Sequence, residues 1–409
     1  MHDIIGECHF RADKCLPQGI RRIEMKKNFA FRTIAVIMAL IMLLSVGTIF
    51  AFAETKPNFK PYLSPDRIAV DPPESLVDEN GKARFGTFNS EIKNINLEDI
   101  KGQSEVFPDS LNFMRLTKWE ALEVDTKDFT LLAAIQEIGG VAAVNMTLLF
   151  VKAEQKMYSW VGAAVAGDQK IAANLYDGNQ TYVKSAISSM TINNDFNNGR
   201  ASGNGSAIGL PGTVQYQFDL KRVSKPSVIV CPFGENKPLY TQKDLFASSG
   251  YLNWNGRIYK TDDESVAIID DHKGYYPYNA YYDWVTTMGK MDYDGGRKYF
   301  GINLTDNQST DPERYNEDLI WLENDSSRLT PVKFQHPEYN HWIIQDQHGM
   351  TNLEMNIADR NLIQFDLGVI KMNYHITFGT LKGYVYDENG NKYDVTGMPA
   401  IGEIRDVRM

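Results

Sequence analysis

Turn dipeptides of one kind punctuate this chain and limit what it can fold into. Asp78-Glu79-Asn80-Gly81, Asp177-Gly178, Asn255-Gly256, Asp294-Gly295, His348-Gly349 and Glu388-Asn389-Gly390 recur from end to end. Asn-Gly and Asp-Gly supply the positive φ that two-residue hairpin turns require. Between such turns the apolar runs are short. Val214, Tyr216, Phe218 and Leu220 alternate with polar residues in TVQYQFDL, and Leu381, Gly383 and Val385 repeat the pattern in TLKGYVY. A period of two marks a half-buried strand. Long helical periodicity is nearly absent, so the chain reads as all-β, a sandwich or barrel of short antiparallel strands. The stretch from Met190 to Gly209 is rich in Asn, Gly and Ser and offers little to bury, so it reads as a loop.

The N-terminus has the order of an export signal. Arg21, Arg22, Lys26, Lys27 and Arg32 precede an uncharged apolar run, Thr33 to Phe52, and Ala51-Phe52-Ala53 forms a small-x-small cleavage site. The run is also long enough to span a bilayer, so residues 1–53 are expected to be either a signal peptide or a membrane anchor. Met25, which opens MKKNFAFR, is an alternative start. On either reading the remainder lies outside the cytoplasm, secreted or tethered to the membrane by one N-terminal helix.

The whole chain carries 42 Lys+Arg against 52 Asp+Glu, a net charge of −10. An acidic balance without a basic run argues against nucleic acid as a partner. Cys8 and Cys15 precede the apolar run, leaving Cys231 alone in the exported part. With no internal disulfide available, stability must come from a large apolar core. Cys231 lies in the apolar SVIVCPF and reads as a small buried hydrophobe. Two domains of comparable length are expected, 54–225 and 226–409.

Residues Asp270 to Trp284, DDHKGYYPYNAYYDW, combine six aromatic residues, three carboxylates, a His and a Lys. Amphipathic rings beside titratable groups are what a ligand pocket or an interface presents. The bland alternative is that the rings are packing and the charges solvate a turn.

The second half is similar to the domain-of-unknown-function 2804 family. The similarity runs through Ala247-Ser248-Ser249-Gly250, Asn255-Gly256, Asp270, Lys273-Gly274, Tyr276-Pro277 and Asp283-Trp284. It continues at Gly301 to Leu304, Asn316-Glu317, Trp321, LTPVKF (329–334), Trp342, Asp346, Phe378 to Gly383 and Gly402-Glu403 before Arg408. LVDENG (76–81), Phe85-Gly86, Trp119-Glu120 and Asn174-Leu175 extend it into the first half. The chain departs from the family at its end, where Met409 stands in place of a Trp. The resemblance implies two lipocalin- or calycin-like antiparallel β-barrels in tandem, with a distant similarity to carotenoid 1,2-hydratases. It also implies apolar, lipid- or isoprenoid-like ligands and one possible reaction, protonation of an alkene by a carboxylic acid followed by capture of water.

On that scaffold the barrel interior would hold an apolar small molecule or lipid. Asp270 and Asp283 are the candidate acids, because each abuts apolar neighbours and burial raises a carboxyl pKa. His272, Lys273, Tyr275, Tyr276, Tyr278, Trp284, Asn303, Asn316 and Glu317 are candidate ligand-binding residues. Trp119-Glu120 reads as a core ring beside a partnered polar group, and Glu403 as a structural partner of Arg405 or Arg408. His336, His341, Asp346 and His348 do not fall at zinc-ligand spacing, so no metal is expected. Asp292-x-Asp294-Gly295 lacks the remaining ligands of a calcium loop and reads as a hairpin turn. No nucleophile elbow, phosphate loop or dinucleotide fingerprint is present, so no cofactor is expected. Three functions stay open: an apolar-ligand binder, a hydratase- or lyase-like enzyme, and a structural or interaction module of the cell envelope.

Overall fold

The computed structural model describes residues 59–102, 108–140, 142–165, 167–368 and 371–408. The signal or anchor segment 1–53 and the terminal Met409 lie outside the described residues. Among the described residues no helix is long and apolar enough to cross a membrane.

Strands dominate, and they form two antiparallel sheets that curl into barrels. The path of the first runs from Lys156–Val165 through Ala142–Val151, Phe129–Ile138, Thr117–Asp125 and Val266–Gly274 to Pro238–Trp254. It continues through Gly212–Arg222, Arg200–Gly209, Ser188–Asp195 and Gln180–Lys184 to Gln169–Lys170. Its two ends approach each other. Trp160 donates its indole N–H to the Gly212 carbonyl at 2.9 Å, Tyr158 packs on Trp254 with centroids 4.4 Å apart, and Asn145 Nδ2 donates to Ser188 Oγ at 2.9 Å. The second sheet begins at Asn279–Tyr293 and includes Gly296–Asp306, Leu319–Leu322, Lys371–Tyr386 and Pro399–Arg408. The buried Asp318 carboxylate gathers its ends by accepting from the Thr305 and Val332 amides at 2.6 and 3.3 Å. The change from one sheet to the other therefore falls between Gly274 and Asn279. The division expected near 225 lies inside the first sheet, because Gly212–Arg222 pairs directly with Pro238–Trp254 across it.

The turn chemistry holds in detail. Asn255 and Asp294 sit at φ +53° and +46°, each followed by a Gly at positive φ, in hairpins closed by Trp254 with Arg257 and Tyr293 with Gly296. The period-two strand is Gly212–Arg222, with Val214, Tyr216, Phe218 and Leu220 buried. The stretch Met190–Gly209 is not a loop. Ser188–Asp195 and Arg200–Gly209 pair as a hairpin whose inward positions include Met190, Ile192, Asn194, Ala201 and Ala207. Small residues there make room rather than mobility: a Cβ on Gly203 would lie 2.5 Å from Leu122 Cδ2.

Two apolar layers divide the interior. One fills the first barrel with residues such as Leu122, Phe129, Leu131, Ile192, Phe218 and Phe246. The other joins the barrels, setting Trp119, Leu132, Leu148, Phe150, Leu245 and Ile268 against Trp284, Trp321, Ile376, Phe378 and Ile401. Phe150 stacks on Phe378 with centroids 5.5 Å apart. Burying a side chain of this size is worth roughly 1.5–3 kcal/mol, so the joint is a second core. Cys231 is buried in a smaller apolar group with Ile229, Phe233 and Leu239.

Candidate functional site

Strand parity decides which side chains meet between the barrels. In Pro238–Trp254, Leu245 joins the layer between the sheets and Phe246 the barrel interior, so Lys243 faces the second sheet. By the same alternation Glu123 and Asp270 face it too, beside Ala121 and Ile268. The second sheet answers with Trp284, Asn303, Tyr374 and Glu403. The result is a buried polar network at one end of an apolar joint.

Lys243 stands at its centre. Its ammonium lies 3.3 Å from Asp270 Oδ2, 3.3 Å from Glu317 Oε2 and 3.2 Å from Asn303 Oδ1, and 5.0 Å from the centroid of the Trp284 ring. Trp284 donates its indole N–H to Asn303 Oδ1 at 2.7 Å, and Asn303 donates to the Glu317 carbonyl at 3.0 Å. Glu403 accepts from the Tyr282 and Tyr374 hydroxyls at 2.8 and 2.7 Å. The Arg405 guanidinium lies 4.7 Å from the Tyr276 ring and 5.7 Å from the Tyr282 ring.

Burial dominates the protonation of this group. It raises Asp270 to about 7, opposed by Lys243 and reinforced by Glu317 and Glu403. Burial pushes Glu123 well above the usual carboxylate range, with Asp270 adding to it, and raises Glu403 against its tyrosine hydrogen bonds. Burial alone would lower Lys243, but Asp270, Glu317 and Glu123 more than reverse it, so the amine stays an ammonium. His272 is driven well below its ordinary value by burial and by Lys243, Arg405 and Lys273, which leaves a neutral imidazole.

A narrow cavity of about 20 Å³, room for one water, opens onto this network. Leu239, Tyr276, Tyr282 and Trp284 form its apolar wall, and Lys243, His272, Glu317 and Glu403 its polar one. Four buried atoms of the network have no hydrogen-bond partner: Glu123 Oε2, Asp270 Oδ1 and Arg405 Nη1 and Nη2.

The residues singled out from sequence divide accordingly. His272, Tyr276, Trp284, Asn303, Glu317 and Asp270 are brought together, with Asp270 behind Lys243 rather than in the cavity wall. Asp283 is not among them. It points to the opposite face of its strand from Trp284 and meets His336 Nε2 at 3.1 Å near the surface. Lys273 alternates away from His272 and pairs with Asp271, close to Glu120, which accepts from Thr181 and Asn194 and is raised to about 7 by burial and Asp271. Tyr275 is a core residue whose hydroxyl donates to the Leu97 carbonyl at 2.9 Å beneath the lead segment. Tyr278 is exposed. Asn316 holds a turn, donating to the Pro312 carbonyl at 2.8 Å and accepting from the Asp318 amide at 2.9 Å. Glu403 bonds tyrosines rather than an arginine, and Arg408 instead meets Asp366 at 3.1 Å. The cavity thus lies between the barrels and not, as expected, in a barrel lumen, because side chains fill the first barrel. Reading the sequence missed Lys243, Glu123, Tyr282 and Tyr374. Lys243 carried a usable signal, as a charge at the inward phase of a strand that continues into Leu245.

The family model described as "Domain of unknown function (DUF2804)" matches residues 67–409. The chain belongs to this family. The match spans both barrels of the DUF2804 fold and every residue of the central network. No curated protein matches the chain in sequence. Among solved structures, CghA with Sch210972 is similar at 7% identity and TM-score 0.49, over 84% of this chain and 97% of that one. Kievitone hydratase from Nectria haematococca is similar at 10% identity and TM-score 0.40, over 71% of this chain and 88% of that one. Neither is close enough to say what this DUF2804 chain acts on.

Proposed function

We propose that the chain binds a small, largely apolar molecule with an oxygen-bearing head in the cleft between its two barrels. The observation that carries this is the cavity walled by the Tyr276, Tyr282 and Trp284 rings on one side and by Lys243, His272, Glu317 and Glu403 on the other. Buried polar groups are satisfied in nearly all native proteins, by protein, water or ligand. Here the Lys243 ammonium, the His272 imidazole and the Glu317 and Glu403 carboxyl groups suit a hydroxyl or carbonyl group. Tyr276, Tyr282 and Trp284 suit the apolar body behind it. The cavity is small, so a lipid- or isoprenoid-sized ligand would have to part the rings to enter. The basic–apolar–AFA order of residues 21–53 supports action outside the cytoplasm, with the membrane as a further partner if the segment is retained.

Native mass spectrometry of the purified chain, before and after solvent extraction, tests the proposal. A bound small molecule that Tyr276→Ala fails to retain supports it. A wild-type chain that carries nothing, and whose tryptophan fluorescence ignores a panel of apolar alcohols and ketones, rejects it.

A second reading, acid–base chemistry of the hydratase or lyase type, is favoured by one observation. Asp270, at about 7, is half protonated near neutrality and touches Lys243, while Tyr282 and Glu403 line the cavity itself. Glu403, a carboxyl in the cavity wall that burial raises, would be the proton donor, held in place by the Tyr282 and Tyr374 hydroxyls. Glu403→Gln should then remove turnover of an alkene or its hydrate while ligand retention survives, and loss of retention as well would assign Glu403 to binding alone.

A further inference from the structure

The Asn- and Ser-rich hairpin of the first barrel has an outer face that neither the core nor the cavity uses. Met190, Ile192, Ala201, Phe218 and Leu252 fill the barrel, so their neighbours along each strand turn outward. Register then aligns Tyr182, Thr191, Asn204, Gln217 and Tyr251 in one row across five strands. On one side of it runs the row Asn193, Ser202, Asp219 and Ser249, and on the other Ser189, Ser206, Gln215 and Asn253.

Of the side chains in these three rows only Asp219 is charged, while Lys184, Lys260, Arg200 and Lys221 stand around them. Asn is a poor strand former, and exposed faces are ordinarily laced with charge. Sequences break such local rules where function requires it. Neighbouring side chains orient one another: Gln180 donates to Asn193 Oδ1 at 2.8 Å, Asn193 donates to Ser202 Oγ at 3.1 Å, and the Ser189 and Ser206 hydroxyls lie 3.0 Å apart. The amides of Asn204 and Gln217, in the middle of the central row, are exposed and have no side-chain partner among the described residues. At the ends of that row Tyr251 is 40% exposed and Tyr182 half-buried. A hollow of about 630 Å³ adjoins the face, with Asp219, Ser249, Arg200 and Lys221 in its wall.

An amide both donates and accepts, as a hydroxyl does, so the face complements a ligand dense in neutral hydroxyl groups. Its rows offer no run of cations to a phosphate backbone and no apolar centre to a protein partner. We propose that it binds an extended neutral oligosaccharide, whose hydroxyls bond Asn204 and Gln217 and whose rings stack on Tyr182 and Tyr251. The two tyrosines are four strand spacings apart, roughly 19 Å along the sheet, so the ligand is a chain of sugars rather than a single one. The site lies outside the first barrel, apart from the central cavity, and does not depend on what binds there.

The test titrates the full chain with cellohexaose, maltohexaose, N-acetylchitohexaose and glucose. Calorimetry is expected to show saturable binding of at least one hexasaccharide, unchanged by added salt because no ion pair forms, and far weaker binding of glucose. Gln217→Val removes an amide at an exposed strand position that suits a β-branched residue, so the fold is kept. That variant and Tyr251→Ala should each weaken binding about tenfold. Tyr281→Ala, which removes an exposed ring of the second barrel, should leave it unchanged. Binding that fades with salt, that ignores both substitutions, or that is as tight for glucose overturns the site, as does a lack of saturable binding by all three hexasaccharides. So does a dimer in solution that Tyr251→Ala dissociates, which would assign the face to a second copy of the chain.

Discussion

The Lys243 ammonium, from the first sheet, lies 5.0 Å from the centre of the Trp284 ring of the second, and both residues donate to one carboxamide oxygen, Asn303 Oδ1. A cation, an indole and an amide thus fasten the two barrels at the point where the apolar joint gives way to the polar network. The cation holds two carboxylates, and the ring borders the cavity, so the same contact is structural and ligand-facing.

Removing that cation exposes how the network is held. Lys243→Met keeps the volume of the stem but leaves Asp270 and Glu317 without their counter-charge. Breaking a buried pair from one side costs roughly 3–5 kcal/mol. The loss should be larger at pH 8 than at pH 5, because stranded carboxylates can take up protons in acid. Urea midpoints at the two pH values measure this, and an equal loss at both would mean that the pair is not buried in solution.

The wild-type protein should itself lose stability as the pH rises. Asp270 and Glu120 both titrate near 7 in the fold, against ordinary values of 3.8 and 4.5. The folded state therefore holds protons that the unfolded chain has released, and stability falls as pH climbs from about 4 through 7. A tenfold difference in proton affinity between the two states is worth about 1.4 kcal/mol, less for groups that share protons with neighbours. Melting temperatures recorded from pH 5 to 8 at constant ionic strength should decline, and Asp270→Asn should flatten the slope. A melting temperature that rises over this window would contradict the protonation pattern.

Much of this fold was legible because turns and strand alternation are local. Asn255-Gly256 and Asp294-Gly295 name their own hairpins, and Val214 to Leu220 name a face. The alternation vanishes where a strand has no solvent side. Thr117–Asp125 is buried over nearly its whole length, since one face lines a barrel and the other meets the second barrel, so Glu120 and Glu123 look alike in sequence yet serve different networks. For the same reason Asp271 is as buried as Asp270 yet belongs to the other network, beside Glu120, and Asp283 looked as apt as Asp270. The Asn- and Gly-rich hairpin was misjudged because Leu122, which packs against its Gly203, approaches from a strand distant in sequence.

Asp283 supplies the contrast to Asp270. Its partner, His336, is partly exposed, and surface ion pairs contribute about 0–1 kcal/mol. Asp283→Asn should therefore change the unfolding free energy by less than about 1 kcal/mol and leave any bound molecule in place. Loss of that molecule on this substitution would move the site away from the network described.

Gly301 tests the joint itself. A Cβ there would lie 2.9 Å from Trp321 Cε3, 3.0 Å from the Thr287 carbonyl oxygen and 3.5 Å from Leu245 Cδ1 of the other barrel. None of the three can readily move. Thr287 is paired within its sheet, Leu245 sits in the apolar layer, and the Trp321 indole N–H is fixed to the Lys243 carbonyl at 3.2 Å. Gly301→Ala must push that ring, and with it the strand that carries Lys243. Overpacking of this kind costs roughly 1–3 kcal/mol, and the near-ultraviolet circular dichroism of the tryptophans should change with it. Gly296, in the same strand, has nothing within 4 Å of its would-be Cβ and an ordinary φ. Gly296→Ala is expected to be neutral within about 0.5 kcal/mol, as surface substitutions are. If the two variants unfold at the same urea concentration, the barrels are not in the close contact that puts Lys243 beside Trp284.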